Sequence, residues 1–292
     1  MAQQPSTTGV KAAVRPAAFR VETTQRRERY LKLLIYGNFG VGKTYLAGTA
    51  SEVDSMKDVL IVNAEAGDLS LSAFEGVDSI TVQDFKTLGR INEYLKQHCI
   101  ARDAGDTDKL RKLEAAVRQC DEKEIETPRE YRTVIIDSLT ELEAYCFNQL
   151  LGITDTTRLD EDPESAEWTE YKKNHTMMQR VVRAFRDLPM HVIFTASEQF
   201  QQDESKRYKF SPDLTGKLSK KIQGFMDMVG YLAIGKEGEK TIRRLYVSPS
   251  PTGKYDAKHR YHAFKGEFFL NPTIKKILIE TGLANKDGTP LS

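Results

Sequence analysis

The chain of 292 residues carries 43 Lys and Arg against 42 Asp and Glu, with 39% hydrophobic and 29% charged residues. This is ordinary soluble composition; no apolar run approaches the roughly 18 residues that a bilayer demands, and a net charge of +1 argues against wholesale coating of nucleic acid while allowing a local basic loop. Cys99, Cys120 and Cys146 stand too far apart for a metal knuckle or a CxxC pair, and Met1 to Val10 lacks a signal-peptide core, so a reducing cytoplasm is the expected location.

Residues 1–27, rich in Gln, Ser, Thr, Ala and Arg, read as a flexible arm ahead of a core spanning 28–270. The core opens with the apolar run Leu31–Tyr36, followed by Gly37-Asn38-Phe39-Gly40-Val41-Gly42-Lys43-Thr44-Tyr45. That is the pattern GxxxxGK[ST] between a strand and a helix expected over Lys43 to Glu52. Its backbone N–H groups wrap phosphates, Lys43 reaches the β- and γ-phosphates, and the Thr44 hydroxyl binds Mg²⁺, so ATP and Mg²⁺ are the expected ligands. Strands are expected at Val59–Val62 and Ser79–Val82, with an amphipathic helix over Phe85–His98.

Residues 101–130 are dense in charge and place Leu110, Leu113 and Val117 at helical spacing, which predicts a protruding helical insertion. The run Tyr131–Asp137 reads as a buried strand ending in a carboxylate. Strand C-termini of open α/β sheets face the ligand crevice, so Asp137 is the candidate metal-side acid, with a helix N-cap at Asp137 or Ser138 as the alternative. A helix over Leu139–Leu150 follows, then a long one over Ala166–Leu188 whose Trp168 and Phe185 are expected to pack on the sheet. His191–Thr195 is a further apolar strand.

The polar stretch 198–221 interleaves cations with aromatics in Lys206, Arg207, Tyr208 and Lys209, then adds Lys217, Lys220 and Lys221. Cations for phosphates and rings for stacking suit a loop that binds single-stranded DNA, and a solvated basic loop is the alternative. Met228–Ile234 and Thr241–Ser248 predict a hairpin at the sheet edge, turning through Gly235–Gly238. Lys258 and Arg260 form either an exposed basic turn or a finger placed over a neighbouring subunit's γ-phosphate. Asn271-Pro272 is expected to cap a last helix that Gly282 ends, within a C-terminal helix and tail over 271–292. For activating the attacking water, Glu65 emerges after the second strand and Asp68 competes with it.

With the phosphate loop, Asn63-Ala64-Glu65 and Val134-Ile135-Ile136-Asp137-Ser138 in this order, residues 30–265 resemble the RecA superfamily of P-loop ATPases. The resemblance implies an α/β fold with a mostly parallel central sheet flanked by helices, Glu65 as the catalytic, water-activating Glu and Asp137-Ser138 as the Walker B end. Lys258-His259-Arg260-Tyr261 is similar to the Lys-x-Arg finger of RadA-type and hexameric-helicase relatives. More narrowly, Pro212-Asp213-Leu214-Thr215-Gly216-Lys217 looks like phage-encoded RecA-like recombination and single-strand annealing ATPases. Such likeness implies a DNA-stimulated ATPase that anneals strands or exchanges them, in the host cytoplasm if phage-encoded. Its partners would be single-stranded DNA, copies of itself in a ring or filament with nucleotide at subunit interfaces, and a single-strand binding protein. The family carries Gln or Asn after the fifth strand to sense the γ-phosphate; this chain has Thr195-Ala196-Ser197-Glu198-Gln199, leaving Ser197 or Gln199. A nucleotide-switched interaction or loader ATPase without direct DNA binding is the competing reading.

Overall fold

The computed structural model describes residues 29–65, 68–154, 156–158, 160, 165–202, 206, 208–285 and 289. The expected arm at 1–27 and the candidate Arg207 lie outside the described residues, as does the side chain of Asp68.

Strands β1 (Lys32–Gly37), β2 (Val59–Asn63), β3 (Val77–Thr81), β4 (Thr133–Asp137) and β5 (His191–Gln202) form a parallel array in the order β1-β5-β4-β2-β3. On the other side of β1 runs β7 (Met228–Glu237), also parallel, followed by antiparallel β8 (Lys240–Tyr246) and β10 (Phe268–Leu270). Central strands are buried on both faces, which is why they read as continuous apolar runs instead of alternating ones.

Alternation then sorts the side chains into two layers. Leu34, Tyr36, Val62, Ile136 and Phe194 face helices α2 (Thr87–Asp103), α4 (Leu139–Leu150), α5 (Trp168–Arg186) and α6 (Leu218–Phe225). Leu33, Ile35, Ile61, Ile135 and Ile193 face α1 (Lys43–Gly48) and the C-terminal α7 (Ile274–Thr281). Among the described residues no helix is long and apolar enough to cross a membrane.

Several expectations change. The α-helix after the phosphate loop stops at Gly48 and continues as a 3₁₀ turn to Glu52. Of the charged insertion, Thr107–Arg118 is helix α3, capped by Asp106; it buries Leu110 and Ala115 while Val117 stays exposed. Rather than standing free, it is tied to edge strand β3 by Arg118, which pairs with Asp78 at 2.9 Å. Trp168 does not pack on the sheet: it is 73% exposed at the first turn of α5, under the Lys172 ammonium, whereas Phe185 is buried.

The stretch 198–221 is not a loop. β5 runs on to Gln202 and pairs antiparallel with β6 (Tyr208–Pro212), Phe200 opposite Phe210, before α6 begins. The β7–β8 hairpin is longer than expected and turns at Gly238-Glu239, with Gly235 inside the strand opposite Ile242. Thr273, not Asn271, caps α7 by accepting the Lys276 N–H at 3.2 Å, and Gly282 ends that helix at φ 71°.

Candidate phosphate-binding site

Gly37 closes β1 where any side chain would run into the Leu232 carbonyl of β7. At Gly42 the backbone takes φ 97°, a left-handed value that favours glycine and folds the loop back over the start of α1. Lys43 is only 7% exposed, and its Nζ donates to the carbonyls of Gly37 at 3.0 Å and Asn38 at 3.1 Å. Burial lowers its pKa, opposed by the nearby charges of Glu65, Asp137 and Glu198. The ammonium thus sits desolvated inside its own loop, ready to exchange carbonyl oxygens for phosphate oxygens.

The Thr44 hydroxyl donates to Asp137 Oδ2 at 2.7 Å, and the Thr195 hydroxyl donates to Oδ1 of the same carboxylate. Strand order explains the arrangement: β5 lies between β1 and β4, so Thr195 faces Asp137 across one strand spacing while Thr44 reaches it from the loop. Ser138 takes the capping duty, its Oγ accepting the Glu141 N–H of α4, which leaves the Asp137 side chain to the crevice. A hydroxyl and one carboxylate are hard oxygen donors that fit Mg²⁺ when phosphates and water complete the shell. Among the described residues no cluster of three or more His, Cys, Asp or Glu side chains could hold a metal independently.

Glu65 is exposed just beyond β2, its N–H held by Asn63 Oδ1 at 3.1 Å, and its charge acts on Lys43 more strongly than that of Asp137 or Glu198. Phe39, 78% exposed, reaches over the Lys43 ammonium at 5.8 Å, and Tyr45 packs on Phe74.

Two residues that the motif reading passed over belong to this neighbourhood. Glu198 follows Ser197, the register partner of Gly37; one of its carboxylate oxygens is buried with no hydrogen-bond partner, while Tyr231 bonds its side chain from β7. Strand alternation from the buried Ala196 to Glu198 was the available signal. Of the two residues left open as γ-phosphate sensor, Gln199 spends its amide on the Pro212 and Leu214 carbonyls at 3.0 Å each, and Ser197 has its backbone N–H bound by the Thr140 hydroxyl oxygen. The second overlooked residue, Arg243 of β8, donates from Nε to the Val41 carbonyl at 2.9 Å; nothing in its local sequence signals a link across some 200 positions.

The candidate DNA-binding residues are spread over three elements. Lys206 sits exposed in the β5–β6 turn and Tyr208 is 57% exposed on β6, its ring set edge-on to exposed Phe200 at 6.0 Å. Lys209 is engaged with Asp256 at 2.8 Å. Lys217 precedes α6, and Lys220 and Lys221 lie on it.

Lys258 belongs to β9 (Lys258–His259), which pairs with Met228 and Val229 at the start of β7. Since Met228 aligns with Leu33, this is the end of the sheet opposite the loop. Arg260 there binds Asp227 at 3.0 Å and the Gly224 carbonyl, so neither cation reaches the phosphate loop of its own chain.

A family model described as an AAA domain matches residues 29–261. No curated protein matches the chain. Among solved structures, similarity extends to a KaiC-like protein from the hyperthermophilic archaeon Pyrococcus horikoshii OT3, at 12% identity and TM-score 0.39 over 82% of this chain and 89% of that one. A RadB recombinase aligns at 17% identity and TM-score 0.38 over 82% and 86%. A DnaB-like replicative helicase aligns at 13% identity and TM-score 0.41 over 83% of this chain and 54% of the helicase chain.

Proposed function

The chain belongs to the AAA domain family, and from that premise we propose that it is an ATPase of DNA recombination that binds single-stranded DNA and promotes annealing or strand exchange. The observation that carries the ATPase reading is the Thr44–Asp137–Thr195 cluster, in which half-buried Thr44 meets the buried Asp137 and Thr195, beside the desolvated Lys43. Lys43 would exchange the Gly37 and Asn38 carbonyls for β- and γ-phosphate oxygens. Thr44 and Asp137 would hold Mg²⁺, which supplies charge neutralisation and orients the phosphates. Glu65 would take the proton of the water that attacks the γ-phosphorus as the bond to the bridging oxygen of ADP breaks.

The DNA reading is supported by the hairpin that carries Lys206 and the exposed Phe200–Tyr208 pair. It starts at Glu198, directly beyond the strand paired with the phosphate loop, so a change at the γ-phosphate has a short path to the rings. Lys258 and Arg260, remote from their own loop, would serve a neighbouring subunit's nucleotide in a ring or filament, Arg260 after releasing Asp227. The competing reading, a loader ATPase without direct DNA contact, is favoured by one observation: the Lys209 charge is already taken by Asp256.

Phosphate release measured with and without a single-stranded oligonucleotide tests the proposal. Stimulation that falls with salt and disappears in Phe200→Ala/Tyr208→Ala is the expected result. Release unaffected by DNA, with no oligonucleotide binding in the presence of ATP, favours the loader. Turnover surviving Lys43→Ala overturns the ATPase site.

A further inference from the structure

The phosphate loop is gripped from outside by the C-terminal part of the chain. Arg243 of β8 donates its Nε–H to the Val41 carbonyl at 2.9 Å, and a Cβ added at Gly42 would lie 3.3 Å from that nitrogen. The guanidinium therefore rests on the outer surface of the Val41–Gly42 peptide. Arg243 is exposed, so water screens its charge, and what reaches the loop is the directed Nε–H bond to the Val41 carbonyl.

The arginine itself is held in place. Its N–H donates to Asn271 Oδ1 at 2.9 Å and its carbonyl accepts the Asn271 N–H at 2.7 Å, a two-way clasp in which Asn271 adopts φ 43°, a left-handed conformation that Asn tolerates better than most residues. Three residues later the same segment grips the neighbourhood again: the Ile274 N–H at the start of α7 donates to Thr49 Oγ1, just past α1, at 2.9 Å. The segment after β10 thus braces both the loop and the helix that follows it.

In a phosphate loop the N–H groups converge on the anion while carbonyls point outward. A cation on an outward carbonyl polarises that peptide unit, strengthens its N–H as a donor, and restrains the left-handed turn at Gly42. We propose that Arg243 is a positioning residue of the nucleotide site: it keeps the phosphate loop in its anion-binding shape before nucleotide arrives, and through the Asn271 clasp it makes the C-terminal segment part of that site. This rests on the loop being a nucleotide site. It differs from the expected finger in two respects, since Arg243 acts within its own chain and on the loop instead of on the γ-phosphate.

Titration of the full chain with fluorescent ADP and with a non-hydrolysable ATP analogue tests it, alongside thermal melting without nucleotide. Arg243→Ala should weaken both ligands alike by roughly 10–100-fold, the range of one charge-assisted hydrogen bond. Arg243→Lys should recover much of the loss, and Asn271→Gly, which keeps the left-handed backbone while removing the side-chain acceptor, should show part of it, with the nucleotide-free melting temperatures near that of the unaltered chain. The proposal is overturned if Arg243→Ala binds both nucleotides as the unaltered chain does. It is equally overturned if the loss only follows a fall in melting temperature and Arg243→Lys does not recover it. An unaltered chain that binds neither nucleotide would overturn the ATPase reading itself, a result distinct from failure of the brace alone.

Discussion

Replacing Thr44 by Val removes one hydroxyl from a buried carboxylate at nearly constant volume. Asp137 is 2% exposed and accepts two hydroxyls, from Thr44 at 2.7 Å and from Thr195. Without the Thr44 donor, Oδ2 of this buried carboxylate loses its hydroxyl partner. An unsatisfied buried acceptor costs about 1–3 kcal/mol, towards the upper end when charged. In Asp137→Asn the charge is gone and the amide can turn its NH₂ towards the gap, so the same Thr44→Val change costs less. The cycle formed by Thr44→Val, Asp137→Asn and the double variant should therefore show a coupling of about 1.5–3 kcal/mol in urea unfolding of nucleotide-free protein at pH 7, with the urea slope unchanged. The functional arm uses the same four proteins: the part of ATP affinity that depends on Mg²⁺ should vanish in either single variant and fall no further in the double. Effects that add within about 0.5 kcal/mol, or a Mg²⁺ response preserved in Asp137→Asn, would refute the assignment of these side chains as one metal-side unit.

Three other outcomes follow from the geometry. Glu65→Gln should keep ATP binding while lowering turnover by about 10²–10⁴-fold in single-turnover assays, and unchanged turnover would move the base elsewhere. Glu198→Gln removes a carboxylate that acts on Lys43, so the ratio of ATP to ADP affinity should rise as repulsion of the γ-phosphate is relieved; equilibrium titration with both nucleotides reads the ratio. At the far end of the sheet, Nδ1 of His191 accepts the Leu31 N–H at 3.0 Å, and burial, helped by Lys32, pushes its pKa down to about 3. The folded state thus stays neutral while the unfolded chain takes up a proton below its ordinary 6.5. The resulting stability is complete above that value and is lost as pH falls, by about 3 kcal/mol between pH 6.5 and 4. His191→Asn, which keeps an acceptor and does not titrate, should flatten this part of the pH profile in chemical denaturation.

The phosphate loop and the Asp137 strand were legible because their constraints are local. A left-handed turn favours glycine, a phosphate cradle asks for Lys and Thr at fixed offsets, and a doubly buried strand must be a continuous apolar run. The stretch 198–221 misled because Glu198, Gln199, Gln201 and Gln202 are polar, yet they extend a strand whose partner, Tyr208–Pro212, is close enough to fold back on it. Cross-strand pairing, Phe200 against Phe210, outweighed composition. Asn271 likewise reads as a helix cap from its neighbours, but the clasp with Arg243 claims it and leaves Thr273 to cap α7.

By itself, then, the amino-acid order determined that an α/β sheet would carry a triphosphate cradle with a carboxylate at a nearby strand end, since each of these is set by residues adjacent in the chain. Which side chains complete that cradle was decided only by strand order and register. Placing β5 beside β1 brings Glu198 to Lys43, and folding β8 alongside β7 lays Arg243 on the Val41 carbonyl. These contacts join residues 155 and 202 positions apart, and their energy comes from partners that are neighbours only once the sheet has closed.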